Sequence, residues 1–316
     1  SVRHHMIADV PVGAFLSGGI DSSIITTLMQ DIRGEKKIKT FTVGWDTLTE
    51  GNEAKETSDA LGTDHTEITI DPKEYFSVLG KAVYHFDEPV ADPSAIGIYF
   101  LAQEASKSVK VVLSGEGSDE LFGGYNIYTT PFASNKMLWL PKPILDFATK
   151  LPFNFFGKNY LKRVNQKLED WYFGQKYFSD SIFDRGEIKK IWKGEKEGFQ
   201  SMSPLYKKIS RLSDSTKMQY VDINTRLVGD ILAKADKMTM AHSLELRVPF
   251  LDIEVAELAR TLPDRFKWNN GVTKYLLREA FSRVVPESTR NRRKLGFPTP
   301  IRDWMTKESV GIYDSI

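Results

Sequence analysis

"VPVGAFLSGGIDSSIITTLMQ", Val10 to Gln30, decides the fold. Val12 to Leu16 is a short apolar run, and Ile20, Ile24, Ile25 and Leu28 then recur at helical spacing, so the stretch predicts strand, turn and helix. Between them "SGGIDSS" (Ser17 to Ser23) places small residues where a backbone must approach an anion, with a helix N-terminus and free amides to meet its charge. The lysine of the G-x-x-x-x-G-K-S/T loop is absent, and so is the dinucleotide pattern G-x-G-x-x-G. Asp21 beside such an anion reads as a magnesium ligand. A generic glycine pair would more often be a tight turn with Asp21 and Ser22 as caps, and the seven specified positions weigh against that reading here.

Working outward, "KIKTFTVGW" (Lys37 to Trp45) and "HTEITI" (His65 to Ile70) are β-branched or aromatic runs that predict two more strands. "EAKETSDALG" predicts a helix closed by Gly62, and "PKEYFSVLGKAVYHF" one that buries Tyr75, Leu79, Ala82, Val83 and Phe86. A further helix runs from near Ile96 to Ala105, and "VKVVLSGEGSDELFGGY" (Val109 to Tyr125) repeats the strand, glycine loop and helix. Strands alternating with helices imply right-handed crossovers and an α/β fold: a doubly wound, mostly parallel sheet with helices on both faces. From Asn126 no further strand is predicted. An appended helical region follows, with a surface loop over the polar interval Lys189 to Ser203. The expected division is an α/β core over 1–130 and a mainly helical region over 131–316 that completes the cleft.

The bulk numbers narrow the partners. Lys and Arg total 43 against 42 Asp and Glu in 316 residues, so no global basic field attracts nucleic acid or an acidic membrane. Hydrophobic residues make up 41%, as in an ordinary globular protein, yet no apolar run approaches the roughly 18 residues of a membrane span. With no cysteine, disulfides, thiolate metal sites and a cysteine nucleophile are excluded within the chain. His4, His5, His65, His85 and His242 form no ligand spacing, and a cytoplasmic location is the expectation. The start "SVRHHMIADV" has no initiator Met and enters a strand within ten residues, which reads as a beginning inside a longer protein.

In parallel sheets ligands gather beyond the carboxyl ends of the strands, so the two glycine loops can face one pocket. Glu116, Asp119 and Glu120 then bring carboxylates towards the first loop's anion, which calls for Mg²⁺ or a cationic group. The plainer alternative is that Asp119 and Glu120 cap the helix that carries Leu121 and Phe122. "SGGIDSS", "TFTVG", "SGEGSDELFGGY", "HSLELRVPFLD" and "RKLGFPTP" together resemble, in order and spacing, the synthetase domain of glutamine-hydrolysing asparagine synthetases. "SGGxDS" marks the wider pyrophosphatase-loop ATPases, and "SGEGSDE" with "RVPFLD" the narrower branch. The match spans nearly the whole chain and is thinnest from Phe132 to Ser215.

That resemblance implies an adenine nucleotide alpha hydrolase-like fold and an ATP-dependent ligase. The side-chain carboxylate of aspartate would attack the α-phosphorus of ATP, pyrophosphate would leave, and ammonia would displace AMP from β-aspartyl-AMP to give asparagine. Carried over by position, Ser17, Gly18, Gly19, Asp21, Ser22 and Ser23 resemble the pyrophosphate grip. Leu16 and Val43 would lie near the adenosine, and Ser114 and Gly115 would close over the nucleotide. Asp21 and Asp119 look like the magnesium ligands, Glu116 like the glutamate that serves the intermediate, and Lys294 like the lysine at the phosphates. Read by itself, Lys294 is a surface residue of the basic run "RNRRK". The family's glutaminase domain is expected as a partner in the full-length protein, so this stretch would use free ammonia, and a homodimer stays open. The rival readings are β-lactam synthetase-like or peptide-cyclising enzymes acting on another acid, a tRNA-modifying pyrophosphatase-loop enzyme, and a non-catalytic scaffold. "RVPFLD" reads as structural, with Arg247 open to the cleft, and "KADKMTMAHS" as a helix with Met238 and Met240 in the core and His242 packed.

Overall fold

The computed structural model describes residues 1–45, 50–88, 92–131, 161, 167–172, 202–292 and 299–308. Five strands, β1 (Val12–Phe15), β2 (Lys39–Trp45), β3 (Asp64–Ile70), β4 (Val111–Leu113) and β5 (Glu245–Arg247), pair in the order β3-β2-β1-β4-β5. Every pairing in this sheet is parallel. Order reverses at β1, which leaves in one direction to β2 and is flanked on the other side by β4. That switch point opens the crevice in which α/β sheets hold ligands.

The alternation of side chains along each strand builds both faces. Val12 and Ala14 of β1 and Val111 and Leu113 of β4 pack with Ile24, Ile25 and Met29 of helix α1 (Ile20–Arg33). Phe15 and Val112 turn to the other face, where Phe41 and Val43 meet Ile96, Tyr99 and Ala102 of a later helix, Ser94–Ala105. Burying each large side chain of these layers contributes about 1.5–3 kcal/mol. Helix α2 (Glu50–Leu61) follows β2 and ends at Gly62, whose φ of 68° is the left-handed turn that halts a helix. Helix α3 (Ser94–Ala105) leads to β4, and the short α4 (Ser118–Phe122) follows the second glycine loop. The doubly wound α/β arrangement predicted from the sequence is therefore present.

Several expectations need correction. "PKEYFSVLGKAVYHF" forms two helices, Pro72–Ser77 and Leu79–Phe86, broken at Val78, and Val83 is exposed rather than buried. The Asp71/Glu74 capping box sets the first helix independently of the second. The absence of strands beyond Asn126 is also wrong, because β5 extends the main sheet. Its three residues, Glu-Leu-Arg, carry no β-branched signal. Pairing with β4 makes it a strand, through Glu245 N–H to Lys110 O at 3.0 Å and Ser114 N–H to Arg247 O at 2.9 Å. A second, antiparallel pair, β6 (Trp268–Asn269) and β7 (Val272–Thr273), turns through Asn270 and Gly271, both at positive φ. "NG" between such runs is a hairpin signal that the sequence reading passed over.

The later residues form α5 (Asp214–Asn224), a π-helical stretch Leu227–Leu232 that runs into α6 (Ala233–Met240), α7 (Tyr275–Ala280) and α8 (Glu287–Asn291). Tyr128, Tyr172, Tyr206, Met218, Val221 and Trp268 make a third apolar cluster. Inside it Asp222 accepts hydrogen bonds from the hydroxyls of Tyr128 and Tyr172. Met238 is buried as expected, whereas Met240 points outward. Trp45 lies in the core, edge-on to Tyr75 and to Trp304, with ring centroids 6.0 and 5.4 Å away. No helix among the described residues is long and apolar enough to cross a membrane. The predicted loop from Lys189 falls outside the described residues as far as 201.

Candidate active site

The first glycine loop leaves β1 and is tied to itself by hydroxyls. Ser22 Oγ accepts from Ser17 N–H at 3.2 Å and donates to Gly19 O at 3.2 Å, while Ser23 Oγ donates to Gly19 O at 2.7 Å. Gly19 is the N-cap of α1, with no side chain capping the first turn, so the opening amides of the helix are not taken by a cap. Gly18 stands at φ 67°, and a Cβ there would come to 2.8 Å from Arg292 Nη1 and from the backbone of Glu53. Arg292 donates to Gly18 O at 2.7 Å and pairs with Glu53 and Glu56 of α2 at 3.3 Å each. It straps the loop to α2. Arg278 in turn bonds the carbonyls of Arg290 and Arg292, fixing the strap to α7.

The second loop leaves β4, and the two loops touch. A Cβ on Gly115 would approach Asp21 Cβ to 2.9 Å, and Ser118 Oγ donates to Asp21 Oδ1 at 2.8 Å. Asp119 and Glu120 do not cap α4, whose N-cap is Gly117 with no side-chain bond. Glu120 instead accepts Tyr125 O–H at 2.7 Å, and burial holds its carboxyl above the usual range despite that bond. Asp119 faces a buried cation: Lys274 Nζ lies 2.7 Å from its Oδ1 and also bonds the Asp21 carboxylate. Lys274 follows the β6–β7 hairpin at φ 52° and is 2% exposed. The hairpin thus delivers one ammonium between two carboxylates that would otherwise repel.

The donor set bears on magnesium. Two carboxylates at a phosphate loop suit an ion that takes one or two protein oxygens and completes its shell with phosphate and water. They do not suit a protein-only cage, since among the described residues no group of three or more His, Asp or Glu could hold a metal.

Both loops open on one cavity of about 420 Å³. Of the predicted residues, Leu16, Ser17, Asp21, Ser22 and Val43 line it from β1, β2 and the first loop. Ser114, Gly115, Glu116 and Asp119 line it from the second loop. Gly18, Gly19 and Ser23 shape the first loop without lining the cavity, and Lys294 lies outside the described residues. Arg247 turns from the cleft: its guanidinium bonds His5 O at 2.8 Å and Ile7 O at 2.7 Å. His242 packs on the Tyr99 ring at 4.3 Å, its pKa lowered by burial and then by His85.

The sequence reading missed the cations. Lys234 and Arg226 line the cavity from α6 and from the residue before the π-helical stretch. Lys234 Nζ bonds Asp92 and donates to Ser94 Oγ at 2.9 Å. Burial alone would raise Asp92, but the Lys234 charge and the bonds from Lys234 and Ser94 hold it below the usual carboxylate range. The recurrence of charge at 226, 230 and 234 in "TRLVGDILAKADK" is a usable signal; Lys274 in "GVTKYLL" has only the "NG" hairpin before it to mark it.

Comparison with known proteins follows the same line. The family model described as asparagine synthase matches residues 1–312. Glutamine-hydrolyzing asparagine synthetase 1 of Bacillus subtilis (strain 168) is 48% identical over 98% of this chain and 49% of its own length. A second synthetase of that organism, numbered 3, is 26% identical over 94% of this chain and 46% of its own. Amidase chry2 of Gibberella zeae is 26% identical over 96% of this chain and 51% of its own. The chain spans about half the length of the curated relatives it matches.

Proposed function

This chain belongs to the asparagine synthase family, and on that premise we propose that it performs ATP-dependent amide formation. It activates the side-chain carboxylate of aspartate as β-aspartyl-AMP with release of pyrophosphate, then lets ammonia displace AMP to give asparagine. The observation that carries the reading is the meeting of two glycine loops, from adjacent parallel strands, on one cavity at the switch point of the sheet. The missing loop lysine fits this chemistry, because the loop holds a pyrophosphate that departs rather than a terminal phosphate that is transferred.

Catalysis of this kind asks for positioning and charge neutralisation rather than a protein nucleophile. The loop amides from Gly18 to Asp21 and the Ser17 hydroxyl grip the departing pyrophosphate, while Ser22 and Ser23 brace the loop through Gly19 O and Arg292 holds Gly18 in place. Asp21 and Asp119 would hold magnesium, which supplies positive charge at the phosphates. Lys274 keeps that carboxylate pair neutralised and oriented when the phosphates are absent. Leu16 and Val43 form the apolar side of the nucleoside end, and Ser114 and Gly115 close over it. Glu116 lines the cavity where the acyl group and the phosphates must meet, and there it orients or deprotonates the incoming ammonia. We assign Lys294 to the phosphates on the resemblance of "RKLGF" alone. A glutaminase domain is the proposed ammonia source in the whole protein, and the cytoplasm the proposed compartment.

The deciding experiment is ATP–pyrophosphate exchange by this chain with aspartate and with other acids. Exchange should require aspartate, and exchange indifferent to it overturns the substrate. With ammonia supplied, Glu116→Gln should lower asparagine formation by about 10²-fold or more, the scale of a lost general base. An unaltered rate removes Glu116 from the chemistry.

A further inference from the structure

Beyond the loops, the cavity has a second wall with a different chemistry. Around the nucleotide end its charged lining is acidic: Asp21, Glu116 and Asp119. The cations that line it, among the described residues, are Arg226 and Lys234, both from the helical region. Lys234 is engaged with Asp92 and Ser94. Arg226 is not engaged in the same way. Its guanidinium lies over the Tyr125 ring, 4.9 Å from the centroid, and its ion pair with Asp230 is long, at 3.8 Å. Among the described residues no hydrogen bond at normal length uses its donors, and its side chain is 42% exposed although it lines a cavity.

Three features make this a prepared group. Tyr125 is itself held by Glu120 at 2.7 Å, so the ring on which the guanidinium rests is fixed. The π-helical turn Leu227–Leu232, a device found at functional sites, widens the helix between Arg226 and Lys234 and keeps Arg226, Asp230 and Lys234 on one side. A guanidinium with its fork open and its face stacked is the standing receptor for a planar, bidentate anion.

We infer that Arg226 binds the carboxylate of the acyl substrate that is not activated, with Lys234 adding positive charge beside it. The ligand class is a short dicarboxylic amino acid spanning the cavity, one carboxylate towards the loops and the other on Arg226. This deepens the proposed function and rests on it. A nucleotide phosphate fits the same fork, so the test separates the two anions.

The measurement is ATP–pyrophosphate exchange by the unaltered chain, Arg226→Met and Arg226→Lys with aspartate and with β-alanine, which is aspartate without its α-carboxylate. Arg226→Met should raise KM for aspartate about 10- to 100-fold, the loss of a charge-assisted bond. It should leave KM for ATP and the response to β-alanine unchanged, so that discrimination between the two acids disappears. Arg226→Lys should recover part of it. A KM for ATP that rises with that for aspartate identifies the anion as phosphate and overturns the assignment. An unchanged KM for aspartate overturns it as well, with thermal unfolding of each variant confirming the fold. Lack of aspartate-dependent exchange in the unaltered chain overturns the functional reading itself, and the subsite with it, before any variant is made.

Discussion

The residues before 132 and those after 201 contribute opposite signs to one site. Asp92 pairs with Lys234, Asp21 and Asp119 with Lys274, and Glu53 and Glu56 with Arg292. In each of these pairs the acid lies before residue 130 and the cation after residue 230. The first half supplies backbone amides, hydroxyls and carboxylates at the ends of its strands; the second supplies the charges that let those carboxylates stay close together. The cavity takes its lining, and the loops their ion pairs, from both stretches of the chain.

Removing one cation should break the arrangement most severely where it is most buried. Lys274→Met leaves Asp21 and Asp119 facing each other with little solvent, and breaking a buried pair in this way costs about 3–5 kcal/mol. Urea unfolding should show that loss, and adding Asp119→Asn should return part of it. If Lys274→Met is as stable as the unaltered chain, the two halves are not held by charge. The strap is a milder case. Arg292→Ala frees Gly18 O and uncovers Glu53 and Glu56, and one charge-assisted bond corresponds to about 1.5–3 kcal/mol. KM for ATP and the inhibition constant for pyrophosphate should rise by roughly 10-fold or more. AMP binding should hold, since AMP lacks the group the loop grips, and loss of AMP binding would make Arg292 a general structural residue.

The smallest effect tests the exception, an acid buried among the later residues. Asp222 has its pKa raised, first by burial, against the bonds from Tyr128 and Tyr172 and the charge of Arg226, with Tyr206 also nearby. A raised folded value means that the native state prefers the protonated carboxyl. Its contribution is complete below the ordinary value of 3.8 and declines as pH rises through the raised one. Asp222→Asn can still accept from both hydroxyls and cannot ionise. It should be within about 1 kcal/mol of the unaltered chain at low pH and gain on it as pH rises, as read from thermal unfolding across that range. A gap that widens instead as pH falls would reverse the assigned shift.

The same contrast explains what the sequence revealed. Strands β1 to β4 and both loops are local patterns: β1 and β4 are apolar runs that lead into glycine loops, β2 and β3 are rich in β-branched residues, and the anion cradle is made by neighbours in the chain. β5 has three residues and one apolar side chain, so only its partner strand identifies it. The cations are harder still. Arg292 sits in a basic run that looks like any solvated surface, and its role appears only when α8 lies against the first loop. Lys274 could have been approached through the "NG" hairpin that carries it, yet nothing local says which carboxylates it meets.

The reach of these contacts along the chain has a consequence for how the molecule comes into being. Lys274 meets Asp21 across 253 residues, and Arg292 meets Gly18 across 274. Closing such long loops is slow compared with forming a helix or a neighbouring strand pair. On a ribosome, the four strands of the first half are made well before either cation emerges, so the nascent chain carries its carboxylates bare for that interval. The two loops are thus joined to their cations only after the first four strands have been made, and a product that terminates before Lys274 keeps those strands without the ammonium that sits between Asp21 and Asp119.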